Sequence, residues 1–303
     1  MSKLENKKIA KYATKPLAEF SCPKSVVTMV LFPSTSFWSV HFTMTTVRKF
    51  FLLQWKQKHH LTHYPIINVE SDLDYKIPFT PSKIYVYMDF SAFFCRPLGM
   101  LYHRLGMAKS TKFSNNFFKF LTHMYNCAYD IYTFSMTTTN RPDYEEMPQF
   151  VTIHKNDPHY LCVPSLHVTI ACGTYIFHKH YLSTVLPEEE AAPRIEEIRQ
   201  EAAAIVESVL FVKQHSVNCV PAALYMLTAT MPEDFFPKET ALEFIDMLFQ
   251  NPDDLSPEIA EETRNHFKTV YNQFYEENKK CGKWQEPVKN WLISHAKKTN
   301  QKL

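Results

Sequence analysis

Glycine is nearly missing from this chain. Its 303 residues include four, Gly99, Gly106, Gly173 and Gly282, whereas average usage is about 7%. The sequence therefore holds neither the G-x-G-x-x-G dinucleotide fingerprint nor the G-x-x-x-x-G-K phosphate loop. It also offers few positions for the positive φ angles that tight β-hairpins need. Together with 24 Phe and 12 Met, this scarcity predicts an all-α fold.

The composition indicates a folded chain with three regions. Apolar residues make up 45% and charged residues 21%, close to globular averages. We predict a polar N-terminal arm over 1–24, a bundle of about six core helices over 25–232, and a charged, amphipathic helical extension over 233–303. The core helices are predicted over 25–58 (one or two helices), 84–105, 114–136, 165–182, 194–214 and 216–230, with loops over 59–81 and 137–164 and an acidic turn over 187–193.

Charge and cysteine usage limit the partners and the compartment. The net charge of +2 gives no field that would predict a nucleic-acid partner. Seven cysteines form no C-x-x-C pair, and the N-terminal residues lack the apolar core and cleavage site of a secretory signal. The cysteines are therefore expected to be free thiols in a reducing compartment, which favours a cytoplasmic, soluble protein. No feature of the sequence predicts an oligomeric state.

Uncharged stretches leave a membrane location open. Residues 26–47 carry no charged side chain, and this stretch approaches the ~20 residues that a spanning helix needs. Serine, threonine and histidine dilute its apolar content. Two interpretations remain at this point: buried helices of a soluble bundle, or weak or re-entrant membrane insertion.

One candidate anion site lies where a helix is predicted to begin. Pro164 and Ser165 directly precede an apolar run, which places Ser165 at or near the N-cap. The free backbone N–H groups of a helix start favour an anion. His167, in the same first turn, adds a possible proton donor. Taken alone, the segment is equally typical of a capped helix with a surface histidine.

Two further segments carry basic and nucleophilic side chains. In the sequence from 213 to 219, Lys213 precedes His215, and a helix here would put His215 and Cys219 on one face at i and i+4. A nucleophilic histidine needs a partner on its second ring nitrogen, and position 219 is where that partner is expected. Arg141 follows a threonine run and is suited to bidentate phosphate binding. Each feature alone is also typical of an ordinary solvated surface.

Read in order, the three segments resemble a known signature. Arg141-Pro142, then Pro164-Ser165-Leu166-His167, then Lys213-Gln214-His215 resemble the three motifs of the type-2 phosphatidic acid phosphatase and vanadium haloperoxidase superfamily. The most similar variant is its P-S-L-H branch, which includes inositol-phosphorylceramide-synthase-like proteins. The segment from Asp72 to Pro81 is similar to the D…IPF-x-P loop of that branch. The resemblance covers roughly residues 25–232.

The resemblance implies a phosphatase or phosphotransferase that acts on a phosphate monoester, above all a lipid phosphate. His215 would form a phosphohistidine and His167 would protonate the leaving group. Arg141, Ser165 and Lys213 would hold the phosphate oxygens. The resemblance requires no metal or organic cofactor, and vanadate or phosphate is the expected occupant of the site. It also implies membrane association, at a surface or by insertion.

Departures from the signature keep other functions open. The family carries an Asp where this chain has Cys219, a Lys at the position of Phe134, and a Ser-Arg pair where this chain has Ser208-Val209. A neutral thiol stabilises an imidazolium poorly. The chain is therefore also consistent with a catalytically degenerate relative that binds a phosphorylated ligand, or with a helical interaction protein. The enzyme hypothesis requires that Arg141, His167 and His215 converge on one pocket.

Overall fold

A computed structural model describes residues 11–12, 14–251 and 253–303, and within them the predicted all-α fold is confirmed. A π-helical turn, Val47–Phe51, joins α2 to α3, and short 3₁₀ turns lie at Leu17–Glu19, Pro81–Lys83 and Leu182–Thr184. The α-helices are α1 (Cys22–Leu31), α2 (Pro33–Thr46), α3 (Leu52–Lys58), α4 (Asp72–Lys76), α5 (Ile84–Phe93), α6 (Arg96–Leu105), α7 (Met107–Tyr132), α8 (Pro148–Asn156), α9 (Leu166–Tyr181), α10 (Glu188–Phe211), α11 (Cys219–Thr230), α12 (Lys238–Met247), α13 (Pro257–Cys281) and α14 (Gln285–Lys298).

Helix α9 lies at the centre of the bundle, between α7, α10 and α11. Its side chains are buried along nearly its whole length. Close approach to α7 depends on Gly173, because a Cβ at this position would lie 2.5 Å from Cζ of Phe120. Gly173 therefore allows α9 and α7 to pack closely at this point.

The two predicted long loops contain regular structure. Strand β1 (Ile66–Asn68) pairs in parallel with β2 (Met136–Thr138), and the register sets Ile67 opposite Thr137. Helices α4 and α8 also lie inside these segments, so the prediction of structureless loops is wrong. Three-residue strands and a five-residue helix are too short to show a period in the sequence.

Several predicted helix bounds differ from those observed. The predicted 84–105 helix is split into α5 and α6 ahead of Pro97, which sits in the first turn of α6, where proline is tolerated. Helix α7 begins at Met107, earlier than expected, and Pro193 lies inside α10 and not in a turn. Most important for the site, α10 ends at Phe211 and α11 begins at Cys219. Residues 212–218 are therefore a connection, and the prediction of a helix across them is wrong.

The polar arm and the C-terminal extension both meet the bundle. Residues 1–10 and 13 of the predicted arm lie outside the described residues, while Leu17 and Phe20 are buried. Helix α13 packs along α11, and Tyr225 donates a hydrogen bond to the Trp284 carbonyl at 2.8 Å. His266 of α13 reaches Asn218 at 2.8 Å, close to the connection that carries His215. None of the helices formed by the described residues combines the length and the apolarity needed to cross a bilayer.

Candidate functional site

The predicted N-cap at Ser165 is confirmed. Its backbone is extended (φ −69°, ψ 117°) and its Oγ accepts a hydrogen bond from the Val168 N–H at 3.3 Å. The preceding segment is fixed by β2, because Thr137 Oγ1 accepts from the N–H groups of Cys162 and Val163. The sheet therefore sets where α9 begins. The first-turn N–H groups of α9 form the positive end of its dipole.

Two histidines meet at this helix start. Nε2 of His215 lies 3.2 Å from Ser165 Oγ and 3.5 Å from Nδ1 of His167. The planes of the two rings are inclined at 61°, and their centroids are 5.5 Å apart. Ser165, His167 and His215 are 50 residues apart at the most, and the structure brings all three together as the sequence motifs predicted.

The histidines border a very small cavity. Tyr87 stacks on the His167 ring at 4.7 Å between centroids, and Phe90 covers it at 4.5 Å. The enclosed volume is about 20 Å³, which is room for about one water molecule. Its wall also contains polar and thiol groups. These are Gln54, Asp157, His159, Cys162 and Gln214.

Burial keeps both imidazoles neutral. Desolvation lowers the pKa of His167 to about 4, although Asp157 opposes the shift. The pKa of His215 falls well below its usual value because of desolvation and because His167 is adjacent. A neutral ring at His215 leaves a lone pair free at one nitrogen. A bound anion would raise both pKa values, since an opposite charge favours the protonated form.

Arg141 contacts a residue of the cavity wall but does not itself line the cavity. Its guanidinium donates to the Asp157 carbonyl at 3.0 Å and to the Asp157 carboxylate at 2.5 Å. Asp157 lines the cavity, whereas Arg141 does not, although Arg141 contributes to the lowered pKa values of both His159 and His215. The structure thus brings Arg141 near the histidines but pairs it with a carboxylate.

Asp157 and His159 are site residues that the sequence analysis missed. His159 adopts a positive φ of 65°, its N–H donates to Asp157 Oδ1 at 3.1 Å, and its Nε2 lies 2.6 Å from Thr139 Oγ1. Desolvation lowers the pKa of His159 well below its usual value. In the sequence, Asp157-Pro158 followed by His159 could have indicated this turn. In such turns the aspartate side chain accepts a hydrogen bond from the backbone N–H two residues later.

Lys213 does not line the cavity. Its Nζ donates to the carbonyls of Asp74 and Ile77 at 2.6 and 2.5 Å. Asp74 belongs to the five-residue helix α4, and Ile77 is its C-cap. Because these helix-end carbonyls attract a cation, Lys213 anchors the connection on α4. Its predicted place beside a phosphate is therefore not the place observed in this structure.

Cys219 is not helically aligned with His215. It is the first residue of α11, and its Sγ accepts from the Ser216 N–H at 3.4 Å. Burial raises the pKa of this thiol well above its usual value, which keeps it neutral. Among the described residues, no hydrogen-bond partner lies near the buried Nδ1 of His215. The orienting acceptor expected at position 219 is thus lacking.

Asp74 fixes the connection that carries His215. Its carboxylate accepts from Ser216 Oγ at 2.7 Å, from the Val217 N–H at 2.8 Å and from the Ser71 N–H at 2.9 Å. Burial raises its pKa despite these hydrogen bonds. Sequence analysis had placed Asp74 only within the loop that resembles the D…IPF-x-P segment.

We expect Asp74→Ala to lower the free energy of unfolding by about 3 kcal/mol, because it leaves three donors without their acceptor. Urea unfolding measures the change. Asp72→Ala is the matched control, since Asp72 is exposed on the same short helix. Equal losses in the two variants would contradict the positioning role of Asp74.

Two larger spaces lie near the histidines: the first shares wall residues with the cavity, and the second reaches it only through Phe90, which contacts the His167 ring. A groove of about 490 Å³ shares Phe50, Gln54 and Asp157 with the cavity and carries the basic side chains Lys58 and Lys155. A second space of about 360 Å³, walled mostly by apolar side chains, includes Phe90, within the volume range of ligand pockets. The π-helical turn separates the two, with Phe50 toward the groove and Phe51 bordering both.

In residues 11–12, 14–251 and 253–303, no three His, Cys, Asp or Glu side chains are arranged to ligate a metal ion. Comparison of the sequence with family models and with curated proteins, and of the fold with solved structures, finds no significant match.

Proposed function

We propose that this protein is a phosphatase or phosphotransferase that acts on a phosphate monoester through a phosphohistidine at His215. The observation that carries the proposal is the position of His215 Nε2. It lies within hydrogen-bond reach of Ser165 and His167, at the positive end of α9. A nucleophilic nitrogen at His215, a proton donor at His167 and the anion-binding amides of the helix start then lie close together.

The reaction follows from the protonation of the two rings. The Nε2 lone pair of neutral His215 attacks phosphorus, and the bond from phosphorus to the ester oxygen breaks. Entry of the phosphate dianion raises the pKa of His167, which lets this ring protonate the leaving alkoxide. Water then attacks the phosphohistidine while His167 takes the proton, and inorganic phosphate leaves. An alcohol in place of water gives phosphoryl transfer.

Charge on the phosphate is balanced by groups near the cavity. The amides of α9 face the site, and Lys58 and Lys155 line the approach groove. Arg141 joins them only when it leaves Asp157. The apolar space beside Phe90 suits the hydrocarbon of a lipid phosphate, and the groove that carries Lys58 and Lys155 suits a soluble monoester.

A second candidate function is the binding of a phosphorylated ligand without turnover. The unpartnered Nδ1 of His215 favours it, because the imidazolium that forms during catalysis lacks a stabilising carboxylate. In that case the site would bind phosphate and release it unchanged.

Turnover of p-nitrophenyl phosphate and of short-chain phosphatidic acid, with orthovanadate as a competitor, tests the proposal. Vanadate-sensitive hydrolysis supports catalysis. Vanadate binding by calorimetry without hydrolysis supports the second function. If neither is observed with folded protein, both functions are excluded.

A further inference from the structure

A stripe of large apolar side chains faces outward along one nearly continuous helical rod. Helix α2, the π-helical turn and α3 run from Pro33 to Lys58 without a break. Six side chains three or four residues apart lie on one side of this rod. They are Phe37, Val40, Met44, Val47, Phe51 and Trp55, and they are 68, 42, 43, 43, 58 and 49% exposed.

The inward side of the same rod is rich in hydroxyl groups. Thr35, Ser39 and Thr45 are buried, and each donates to a carbonyl within α1 or α2. Their polarity is thereby satisfied without water. The inward side also buries Phe42 and Leu53, so the rod carries large apolar side chains on both sides, unlike an amphipathic helix that keeps a polar face toward water. Its exposed side has the composition of a surface that contacts an apolar phase.

The outward stripe is continuous with neighbouring apolar surface. Val26, Val47 and Phe51 all border the 360 Å³ apolar space. Helix α1 packs against α2 and exposes Val27 and Leu31. Exposed apolar patches of this kind mark interaction sites. The apolar space therefore opens on the same face as the stripe.

The chain segment that forms the face carries charge of one sign. Residues 20–69 contain no Asp or Glu, and their charged side chains are Lys24, Arg48, Lys49, Lys56 and Lys58. Apolar residues on one side with Lys and Arg at the flanks are typical of helices that lie in the interface of an anionic membrane. A basic rim adds affinity for anionic lipid, which a purely apolar protein contact does not require.

We propose that this face, formed by α1, α2, the π-helical turn and α3, docks on the surface of an anionic bilayer. The stripe enters the headgroup region, and the basic side chains contact anionic headgroups. The apolar space beneath it then opens toward the lipid. Apart from Lys58, which also lines the approach groove, the inference uses none of the residues assigned to phosphoryl transfer, and it does not depend on that function.

Co-sedimentation of the full chain with vesicles tests it, using phosphatidylcholine alone or mixed with phosphatidylglycerol. We expect association with the mixed vesicles, weakened by salt. The double variant Phe37→Glu/Met44→Glu is expected to weaken it at least about tenfold. Val151→Glu on α8 is the matched control, because Val151 is 43% exposed and lies elsewhere in the chain.

Three sedimentation results would overturn the proposal: no association of folded wild type with mixed vesicles, equal association of the double variant, or an equal loss in Val151→Glu. A wild-type dimer that the double variant dissociates, measured by light scattering, would assign the face to a second copy of this chain and also overturn it. Circular dichroism verifies that each variant is folded. Hydrolysis of p-nitrophenyl phosphate is a separate readout, so failure of the catalytic proposal leaves this one testable.

Discussion

Replacing His215 with alanine is expected to lower hydrolysis of p-nitrophenyl phosphate by at least about 10³-fold, the scale at which loss of a nucleophile acts. The variant removes the one nitrogen that faces both Ser165 and His167. Release of p-nitrophenolate measures the rate. His41→Ala is the control, since His41 is exposed on α2 and is expected to leave the rate unchanged.

The covalent step gives a second readout of the same variant. Alkaline quench during turnover of a ³²P-labelled monoester should leave label on the wild-type chain and none on His215→Ala. Label that persists in His215→Ala would place the nucleophile elsewhere, with His159, Cys162 and His167 as the remaining candidates in the cavity wall. Unchanged hydrolysis in His215→Ala would refute the mechanism.

Replacing Cys219 with aspartate is expected to raise the hydrolysis rate between about 10-fold and the ~10⁴-fold that separates a carboxylate from a neutral partner in another His-dependent site. A carboxylate at this position is adjacent to the Ser216 N–H that the thiol now accepts from. It also adds an anion four residues along the chain from His215, whose Nδ1 has no partner among the described residues. That anion would stabilise the imidazolium.

Cys219→Asn is the matched control for charge. The amide has nearly the same shape as the carboxylate but carries no charge, so it should recover only a small part of the gain. Equal rates in the two variants would show that charge at position 219 has no role. A rate in Cys219→Asp no higher than in wild type, with folding retained, would mean that His215 gains no support from this position.

Local signals in the sequence were enough to predict part of the site. Pro164-Ser165 before an apolar run predicted the start of α9, because the capping chemistry lies within a short stretch of chain. That Ser165, His167 and His215 belong together was predicted from the resemblance to the phosphatase signature, since each segment alone is also typical of ordinary surface structure.

The remaining features depend on contacts between distant segments. Lys213 is held by carbonyls of α4 at a separation of 139 and 136 residues, and no pattern around position 213 reveals this. The β1–β2 pair joins two segments that each look irregular. Arg141 has the right type and place for a phosphate ligand, but its pairing with Asp157 appears only once the chain is folded.

The tightness of the histidine cavity has a consequence for kinetics. A volume of about 20 Å³ does not admit a phosphate, so a phosphorylated ligand of the kind proposed would bind only those molecules in which part of the wall, such as Phe50, has moved. Apparent affinity is then the intrinsic affinity reduced by the fraction of open molecules. At high ligand concentration, the rate of association would stop rising and equal the rate of opening. Movement of the π-helical turn that carries Phe50, a geometry frequent at functional sites, would then limit the rate of ligand association.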